Sequence, residues 1–181
     1  MIKLNTPLTD DDIQKLKIGD RVLLNGIIYS ARDTAHKRLV ELIDKGEKTP
    51  IELKGQVIYY VGPAPAKPGY PIGPAGPTTS IRMDPYTPKV LSQGVKGLIG
   101  KGNRTEPVVE ALKRYKAVYF VAIGGAAALI SKRIKSSRVV AYEDLGPEAI
   151  REMEVEEFPL IVANDCHGGD LFKEGVSRFK R

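Results

Sequence analysis

The residues of this chain best suited to chemistry lie in one segment, residues 76–84 (GPTTSIRMD). Its Gly-Pro pair favours a turn, and three consecutive hydroxyl side chains follow. Hydroxyl groups can donate hydrogen bonds to a carboxylate, and the planar guanidinium of Arg82 can add two parallel ones. The segment is therefore typical of an anion-binding loop, although a surface loop rich in Ser/Thr turns has the same composition.

A second set of polar side chains comes where a predicted strand, residues 21–29, leads into a predicted helix that ends near Lys45. Arg32 and Asp33 would then lie at the helix N-terminus, where free N–H groups attract anions. Asp33 and His36 are three residues apart, so the carboxylate could orient the imidazole for acid–base chemistry. The alternative is that Asp33 only caps the helix and that His36 is a half-exposed surface residue.

Lys101 is the third candidate, because it lies between Gly100 and Gly102 after a predicted short strand at residues 97–99. The two glycines would allow the backbone to come close to a ligand, and the ammonium group is a point charge for an anion. The segment is not a phosphate-binding P-loop, because the required upstream glycine and following Ser/Thr are absent.

Cys166 is the only cysteine in the chain, which excludes an intrachain disulfide bond. Its neighbour His167 suggests a nucleophile or a metal ligand. One Cys beside one His, without further ligands at suitable spacing, supports neither function. A metal–sulfur centre would need most of its ligands from another chain.

The composition limits the class of protein. With 181 residues, 42% hydrophobic and 28% charged, the chain fits one domain over residues 1–181. No apolar run is long enough for a membrane span and the N-terminus lacks the apolar block of a signal peptide, so we expect a cytoplasmic protein. The net charge of +6 favours anionic partners. Because basic residues are mixed with acidic ones and not interleaved with aromatics, nucleic acid is not expected among them.

Strands alternate with helices along the chain, which predicts an α/β domain with a mixed sheet and flanking helices. Further strands are predicted at 56–61, 117–122, 138–142, 152–156 and 160–163, and further helices at 9–18, 86–93 and 105–115. A glycine turn at 124–126 leads into a small-residue helix, for which packing is the expected role. Residues 62–77 are too rich in Pro and Gly for either element and form a functional loop or a flexible linker.

Three motifs, ARDTAHKR at 31–38, GPTTSIRMD at 76–84 and IGKGN at 99–103, together resemble the β subunit, or C-terminal domain, of the iron-sulfur hydro-lyases. That family contains class I fumarate hydratase and L-tartrate dehydratase, and the resemblance covers essentially the whole chain. It implies a swivelling β/β/α-type domain that closes over a 4Fe-4S cluster. The cluster would be held by three cysteines of a partner α subunit, in a hetero-oligomer of αβ pairs, so no metal ligand is expected in this chain.

The resemblance also implies roles for individual residues. The positions that bind the dicarboxylate substrate are Arg32, Thr78, Thr79, Arg82 and Lys101. His36 takes a position usually assigned a catalytic role, either as an acid–base group or as an electrostatic support behind the binding residues, and Asp33 is expected to hold its imidazole. The Thr78 hydroxyl could bind the carboxylate or relay a proton, but alone it is a poor base.

The expected reaction is the reversible dehydration of L-malate to fumarate. Removal of water needs a Lewis acid on the departing hydroxyl, which the open iron would provide. Negative charge then builds on the carboxylate beside the deprotonated carbon, where Arg32, Arg82 and Lys101 would stabilise it. Two alternatives remain: tartrate as the substrate, which differs by one hydroxyl, and an anion-binding domain without catalysis.

Overall fold

A computed structural model of the chain describes residues 1–122 and 127–180, except for the side chains at 178 and 179. The strands are β1 (Ile2–Asn5), β2 (Arg21–Ser30), β3 (Val57–Tyr59), β4 (Gly97–Gly100), β5 (Val118–Val121), β6 (Ile134–Ala141) and β7 (Ile150–Asn164). The helices are α1 (Asp10–Gln14), α2 (Asp33–Asp44), α3 (Thr87–Ser92), α4 (Glu106–Arg114), α5 (Ala127–Ser131) and α6 (Leu171–Phe179), with 3-10 helices at Ser80–Met83 and Glu143–Glu148. The predicted glycine turn at 124–126 lies outside the described residues.

The strands form one mixed sheet in the order β1-β2-β3-β4-β5-β7-β6. Strands β1 to β5 are parallel to one another, and β7 runs antiparallel to β2, β5 and β6. Because β7 also pairs with β2, the strands β2, β3, β4, β5 and β7 close into a barrel. The mixed α/β class is thus confirmed, whereas closure of the sheet was not predicted.

Alternate residues of the central strands serve two separate cores. In β3 and the residue after it, Val57 and Tyr59 face the barrel interior, where the Tyr59 ring meets the edge of Phe158 at 5.5 Å. Ile58 and Tyr60 face outwards, into the core that α2, α3 and α4 share with the barrel wall. A strand buried on both faces reads as a continuous apolar run, which explains why this one was recognisable in the sequence.

Three elements differ from the prediction. The four-residue β1 is too short for a clear pattern, and α6 was not predicted, although Asp170 caps it by accepting the N–H groups of Phe172 and Lys173. The two strands predicted at 152–156 and 160–163 are one strand, β7. Pro159 does not end that strand and stays in register opposite Leu23. The bulge in the pairing with β2 lies next to it, where Glu157 takes a positive φ of 49°.

None of the described helices combines the length and the hydrophobicity needed to traverse a lipid bilayer.

Candidate active site

The three motifs meet at the carboxyl ends of the adjacent parallel strands β2, β3 and β4. The Ala31 N–H after β2 donates to the Tyr59 carbonyl (3.1 Å), and the Thr78 N–H donates to the Tyr60 carbonyl (2.7 Å). Lys101, directly after β4, donates its N–H to the Thr78 carbonyl at 3.3 Å. Carboxyl ends of neighbouring parallel strands are the usual place for ligands in α/β sheets. Segments far apart in sequence therefore form one edge, which we call the carboxyl edge.

The Pro/Gly-rich loop that leads to Thr78 is tied to the barrel. Its two arms are joined by a hydrogen bond from the Ala64 N–H to the Pro74 carbonyl at 3.0 Å. The buried Tyr59 hydroxyl donates to the Ala75 carbonyl at 2.6 Å. As predicted, residues 62–77 contain neither helix nor strand. The ties support the loop interpretation over that of a flexible linker.

Arg32 and Arg82 are brought together through Asp33. Arg32 is the N-cap residue of α2 and Asp33 is the first helical residue, so the position at a helix N-terminus is confirmed. The Arg82 Nε donates to Asp33 Oδ1 at 2.9 Å, while the Arg32 Nε lies 3.8 Å from Asp33 Oδ2 and 3.3 Å from Glu148 Oε1. Glu148 was not singled out in the sequence, because it is more than a hundred residues from Arg32 and belongs to no motif.

Thr78 and Lys101 carry polar groups that none of the described side chains contacts. Within the described part of the chain, neither the Thr78 hydroxyl nor the Lys101 ammonium group forms a side-chain hydrogen bond or an ion pair. Lys101 is exposed and Thr78 is half-buried, whereas Thr79 is exposed and pairs with Lys101 through its backbone. A cation held at the end of a strand with no carboxylate beside it is well placed to receive an anion.

His36 does not have the surface position that one sequence interpretation expected. It is completely buried, not half-exposed, and its partner is not Asp33: the Nδ1 lies 2.7 Å from the Arg32 carbonyl oxygen and therefore carries the proton. Its ring packs edge-on against Tyr60 at 5.4 Å. Burial lowers the pKa of His36 to about 4, and the nearby positive charge of Arg104 acts in the same direction. The imidazole is thus neutral at pH 7.

Asp84 anchors the segment 76–84 within the fold and does not face outwards with its other polar groups. Its carboxylate is buried and accepts hydrogen bonds from Arg104 Nε at 2.7 Å and from both the N–H and the hydroxyl of Thr105 at 2.7 Å. Sequence reasoning missed Arg104. The sequence shows only a basic residue three positions after Lys101. Nothing in it distinguishes this buried arginine from an exposed one.

Gly100 serves packing within the chain. A Cβ atom there would overlap Ser80 Oγ and would lie 2.9 Å from the Tyr60 ring. The absence of a side chain lets the Ser80 turn lie directly on β4, which sets the distance between Thr78 and Lys101. Its neighbour Gly102 has a φ of 80° and open space around it, so the turn after Lys101 needs glycine for its conformation.

Cys166 and His167 lie away from the carboxyl edge. The Cys166 Sγ is 3.8 Å from the Ile13 carbonyl oxygen, and His167 Nε2 is 3.0 Å from the Gln14 carbonyl oxygen. Burial raises the pKa of the thiol, and the charge of Asp165 adds to the effect. Among residues 1–122 and 127–180, no three His, Cys, Asp or Glu side chains form a group able to hold a metal ion.

Comparison with known proteins agrees with the motifs. The family model of the fumarase C-terminus matches residues 1–175. A putative L(+)-tartrate dehydratase subunit beta of Methanocaldococcus jannaschii is 39% identical over 173 residues, covering 92% of this chain and 89% of that protein. The anaerobic class I fumarate hydratase of Escherichia coli K12 is 39% identical over 181 residues, covering 98% of this chain and 33% of that enzyme.

Fumarate hydratase 2 of Leishmania major is 40% identical over 167 residues, covering 91% of this chain and 29% of that enzyme. The chain thus spans about a third of the length of these fumarate hydratases and nearly the whole length of the tartrate dehydratase subunit. The match reaches from the first strand into α6 and includes every motif at the carboxyl edge. By its motifs, the family model and its sequence relatives, this chain belongs to the fumarase C-terminal family.

Proposed function

We propose that this chain is the β subunit of a two-subunit hydro-lyase that interconverts L-malate and fumarate. The observation that carries the proposal is the convergence of Arg32, Thr78, Arg82 and Lys101 at one edge, with the ammonium of Lys101 unpaired among the described residues. A small dicarboxylate matches this set, because two carboxylates need several cationic and hydroxyl donors. Sequence similarity to named fumarate hydratases supports the same activity.

Within the reaction, Arg32, Arg82 and Lys101 bind and neutralise the substrate carboxylates. When a proton leaves the carbon beside a carboxylate, negative charge grows on the carboxylate oxygens, and fixed cations stabilise that charge best in a site closed to water. Thr78 and Thr79 add hydroxyl donors, of which only Thr78 is half-buried. The Thr78 hydroxyl is a candidate to relay the proton, with help from a stronger base outside this chain.

In this proposal, Asp33 and His36 position the arginines and do not contact the substrate. Asp33 holds Arg82 by a hydrogen bond of 2.9 Å. His36 donates from Nδ1 to the Arg32 carbonyl oxygen, which fixes the first turn of α2. Complete burial and a pKa of about 4 leave His36 neutral at pH 7 and shielded from the surface, which favours the interpretation as a supporting residue over an acid–base role.

A 4Fe-4S cluster belongs to this proposal as part of the α subunit. The residues of this chain do not fit the role of ligands, since its one cysteine lies away from the carboxyl edge and no metal-binding group occurs among the described residues. Bound in the partner, such a cluster supplies a Lewis acid for the departing hydroxyl. We further propose that residues 1–181 swivel as one domain to close over it, in a cytoplasmic assembly of αβ pairs.

Tartrate is the second candidate substrate. The relative whose length this chain matches almost completely is named as a putative tartrate dehydratase subunit. Tartrate carries one more hydroxyl than malate, so a site that provides a hydrogen-bond partner for it would prefer tartrate strongly. Turnover of malate, fumarate and tartrate by the same preparation separates the two.

The test is anaerobic purification of the tagged chain together with its α subunit, followed by assays of malate dehydration and of iron and sulfide content. Arg82→Ala should abolish most of the activity, whereas Arg138→Ala should leave it within about twofold of wild type, because surface ion pairs contribute little. Arg138, on β6, is a matched control, because it is also an exposed arginine paired with one carboxylate. Its Nη2 lies 2.8 Å from Glu152 Oε1. Full activity of the Arg82→Ala complex would overturn the site assignment.

A further inference from the structure

Arg104 is a fully buried guanidinium behind the carboxyl edge. Its Nε donates to Asp84 Oδ1 at 2.7 Å, and its Nη2 donates to the Thr87 hydroxyl at 2.9 Å and the Tyr60 hydroxyl at 3.3 Å. The guanidinium also lies over the rings of Tyr60 and Tyr119, at 5.3 Å and 4.8 Å from their centres. A side chain bound from so many directions has one available position.

The pair of Arg104 and Asp84 connects the two segments that carry the exposed cations. Asp84 ends the 3-10 helix that contains Arg82, through a hydrogen bond from its N–H to the Ile81 carbonyl at 3.2 Å. Arg104 follows Lys101 by three residues. Each partner of the buried pair is thus within three residues of a cation at the surface.

A second set of hydrogen bonds, through Tyr119, connects the same two segments. The Tyr119 hydroxyl donates to the Gly102 carbonyl at 2.8 Å, so it accepts the hydrogen bond from Ser80 Oγ, also at 2.8 Å. All three groups are neutral, and Tyr119 and Ser80 are completely buried. The turn after Lys101 and the start of the 3-10 helix are therefore held to the same strand, β5.

A buried ion pair is a poor device for stability alone, because removing two charges from water costs about as much as their attraction returns. A pair kept at this cost is better explained by the conformation that it specifies. We propose that Arg104 and Asp84 are positioning residues that set the distance between Lys101 and Arg82, and with it the geometry of dicarboxylate binding. The expected effect on dicarboxylate binding rests on the proposed function. The effect on the distance between Lys101 and Arg82 does not.

The first arm of the test measures catalysis in the αβ complex. Arg104→Lys keeps the charge but loses the forked contacts to Asp84, Thr87 and Tyr60, so Lys101 shifts relative to Arg82. A misplacement of about 1 Å is expected to lower kcat for malate by roughly 100-fold. Asp165→Asn is the matched control, since Asp165 is equally buried and accepts three backbone N–H groups, from Ile18, His167 and Gly169, away from this edge. Its complex should keep kcat within about twofold at a similar loss of thermal stability.

The second arm needs no activity. In the full chain alone, hydrogen exchange of the Lys101 and Ser80 amides reports the bonds that join the two segments, Lys101 N–H to the Thr78 carbonyl and Ser80 N–H to the Lys101 carbonyl. In Arg104→Lys these amides should exchange at least about tenfold faster than in Asp165→Asn, after both are normalised to global unfolding. Equal exchange in the two variants would overturn the proposal, whatever the activity.

A milder pair of variants covers the case in which Arg104→Lys does not fold. Thr105→Val removes only the hydroxyl bond to Asp84, and Thr105→Ser retains it. Faster exchange in Thr105→Val, with rescue in Thr105→Ser, supports the proposal, and identical exchange in both contradicts it. If the wild-type complex shows no dehydratase activity while the exchange results hold, the proposed function fails and the positioning pair stands.

Discussion

Lysines lie both before strands β4 and β5 and after β4. Those before the strands are paired with a carboxylate, whereas the lysine after β4 is not paired among the described residues. Before the strands, Lys96 and Lys116 share Asp10, with Nζ to carboxylate distances of 2.6 Å and 3.4 Å. Lys96 also donates to the carbonyl oxygens of Tyr115 and Lys116. After β4, Lys101 has no acceptor among the described residues. We call the first region the amino edge and compare it with the carboxyl edge.

The difference separates cations that stabilise the fold from cations that are available to a ligand. At the amino edge, the hydrogen bond from Lys96 lowers the pKa of Asp10, and the three groups satisfy one another. At the carboxyl edge, Asp33 holds Arg82 by a hydrogen bond and Arg32 lies nearest to Glu148. Among the described residues, Lys101 is held through its backbone alone. Net charge alone would not have distinguished these lysines, whereas their partners do.

The largest expected effect comes from exchanging one lysine at each edge. Lys101→Met should lower kcat of the αβ complex by about 10² to 10³-fold without loss of stability, because it removes a charge that stabilises the transition state. Lys96→Met should leave the activity of the folded complex unchanged and should lower the free energy of unfolding by about 1 kcal/mol, because three acceptors lose their donor. Steady-state kinetics and urea unfolding of both variants check the pair. Equal losses of kcat in Lys101→Met and Lys96→Met would contradict the distinction between the two edges.

A smaller effect is expected from adding one methyl group at either end of β4. Gly100→Ala should lower the free energy of unfolding by about 2 kcal/mol, since its Cβ would overlap Ser80 Oγ and press on the Tyr60 ring. It should also reduce kcat by displacing the turn that precedes Arg82.

Gly97→Ala at the amino end is the control for this change. Its Cβ would meet a Val57 methyl group at 3.0 Å and the Phe120 ring at 3.3 Å, away from the anion-binding residues. It should reduce stability without changing kcat. A Gly100→Ala complex with wild-type kcat would show that the Ser80 turn does not position the cations.

Acid should lower the stability of the chain through His36 before it does so through Asp10. His36 has a folded-state pKa of about 4 against an ordinary value of 6.5, so the unfolded chain binds its proton first. Stability is therefore full above pH 6.5 and falls as the pH decreases towards 4, by about 2 kcal/mol between pH 7 and pH 5. Urea unfolding at these two pH values should show a smaller difference in His36→Gln than in wild type. An identical pH dependence in that variant would contradict the buried, neutral imidazole.

The smallest effect concerns Asp10, whose pKa is lowered in the folded chain. Its contribution to stability is present above pH 3.8 and is lost as the pH falls through the lowered value. Because the carboxylate is half exposed, Asp10→Asn should cost only about 0.5 kcal/mol at pH 7. Activity should not change. A loss of activity in this variant would show that the amino edge contributes to function, and would contradict the distinction between the two edges.

Much of the secondary structure could be predicted because its signals are local. Buried runs marked β3 and β5, and Thr9 followed by three acidic residues marked the start of α1, where the structure has Thr9 as the N-cap residue. The motifs around Arg32, Arg82 and Lys101 were recognisable because each is short and continuous. Their meeting at one edge follows from the parallel order of β2, β3 and β4, which a resemblance can imply but periodicity cannot.

What could not be predicted depends on contacts between distant residues. Closure of the barrel rests on β7 pairing with both β2 and β5, and no local pattern specifies such partners. The burial of His36 and Arg104 has the same origin, since their sequence surroundings are polar. Asp84 was interpreted as part of an anion-binding loop because its partner, Arg104, lies twenty residues further on.

The central claim is that the cations of the carboxyl edge bind a dicarboxylate and those of the amino edge do not. Anaerobic titration calorimetry of the αβ complex with succinate, which lacks the reacting hydroxyl, measures this directly for wild type, Lys101→Met and Lys96→Met. We expect a dissociation constant at least about tenfold larger for Lys101→Met, because one charge-assisted contact is lost, and an unchanged one for Lys96→Met. Equal affinity of Lys101→Met and wild type would contradict it.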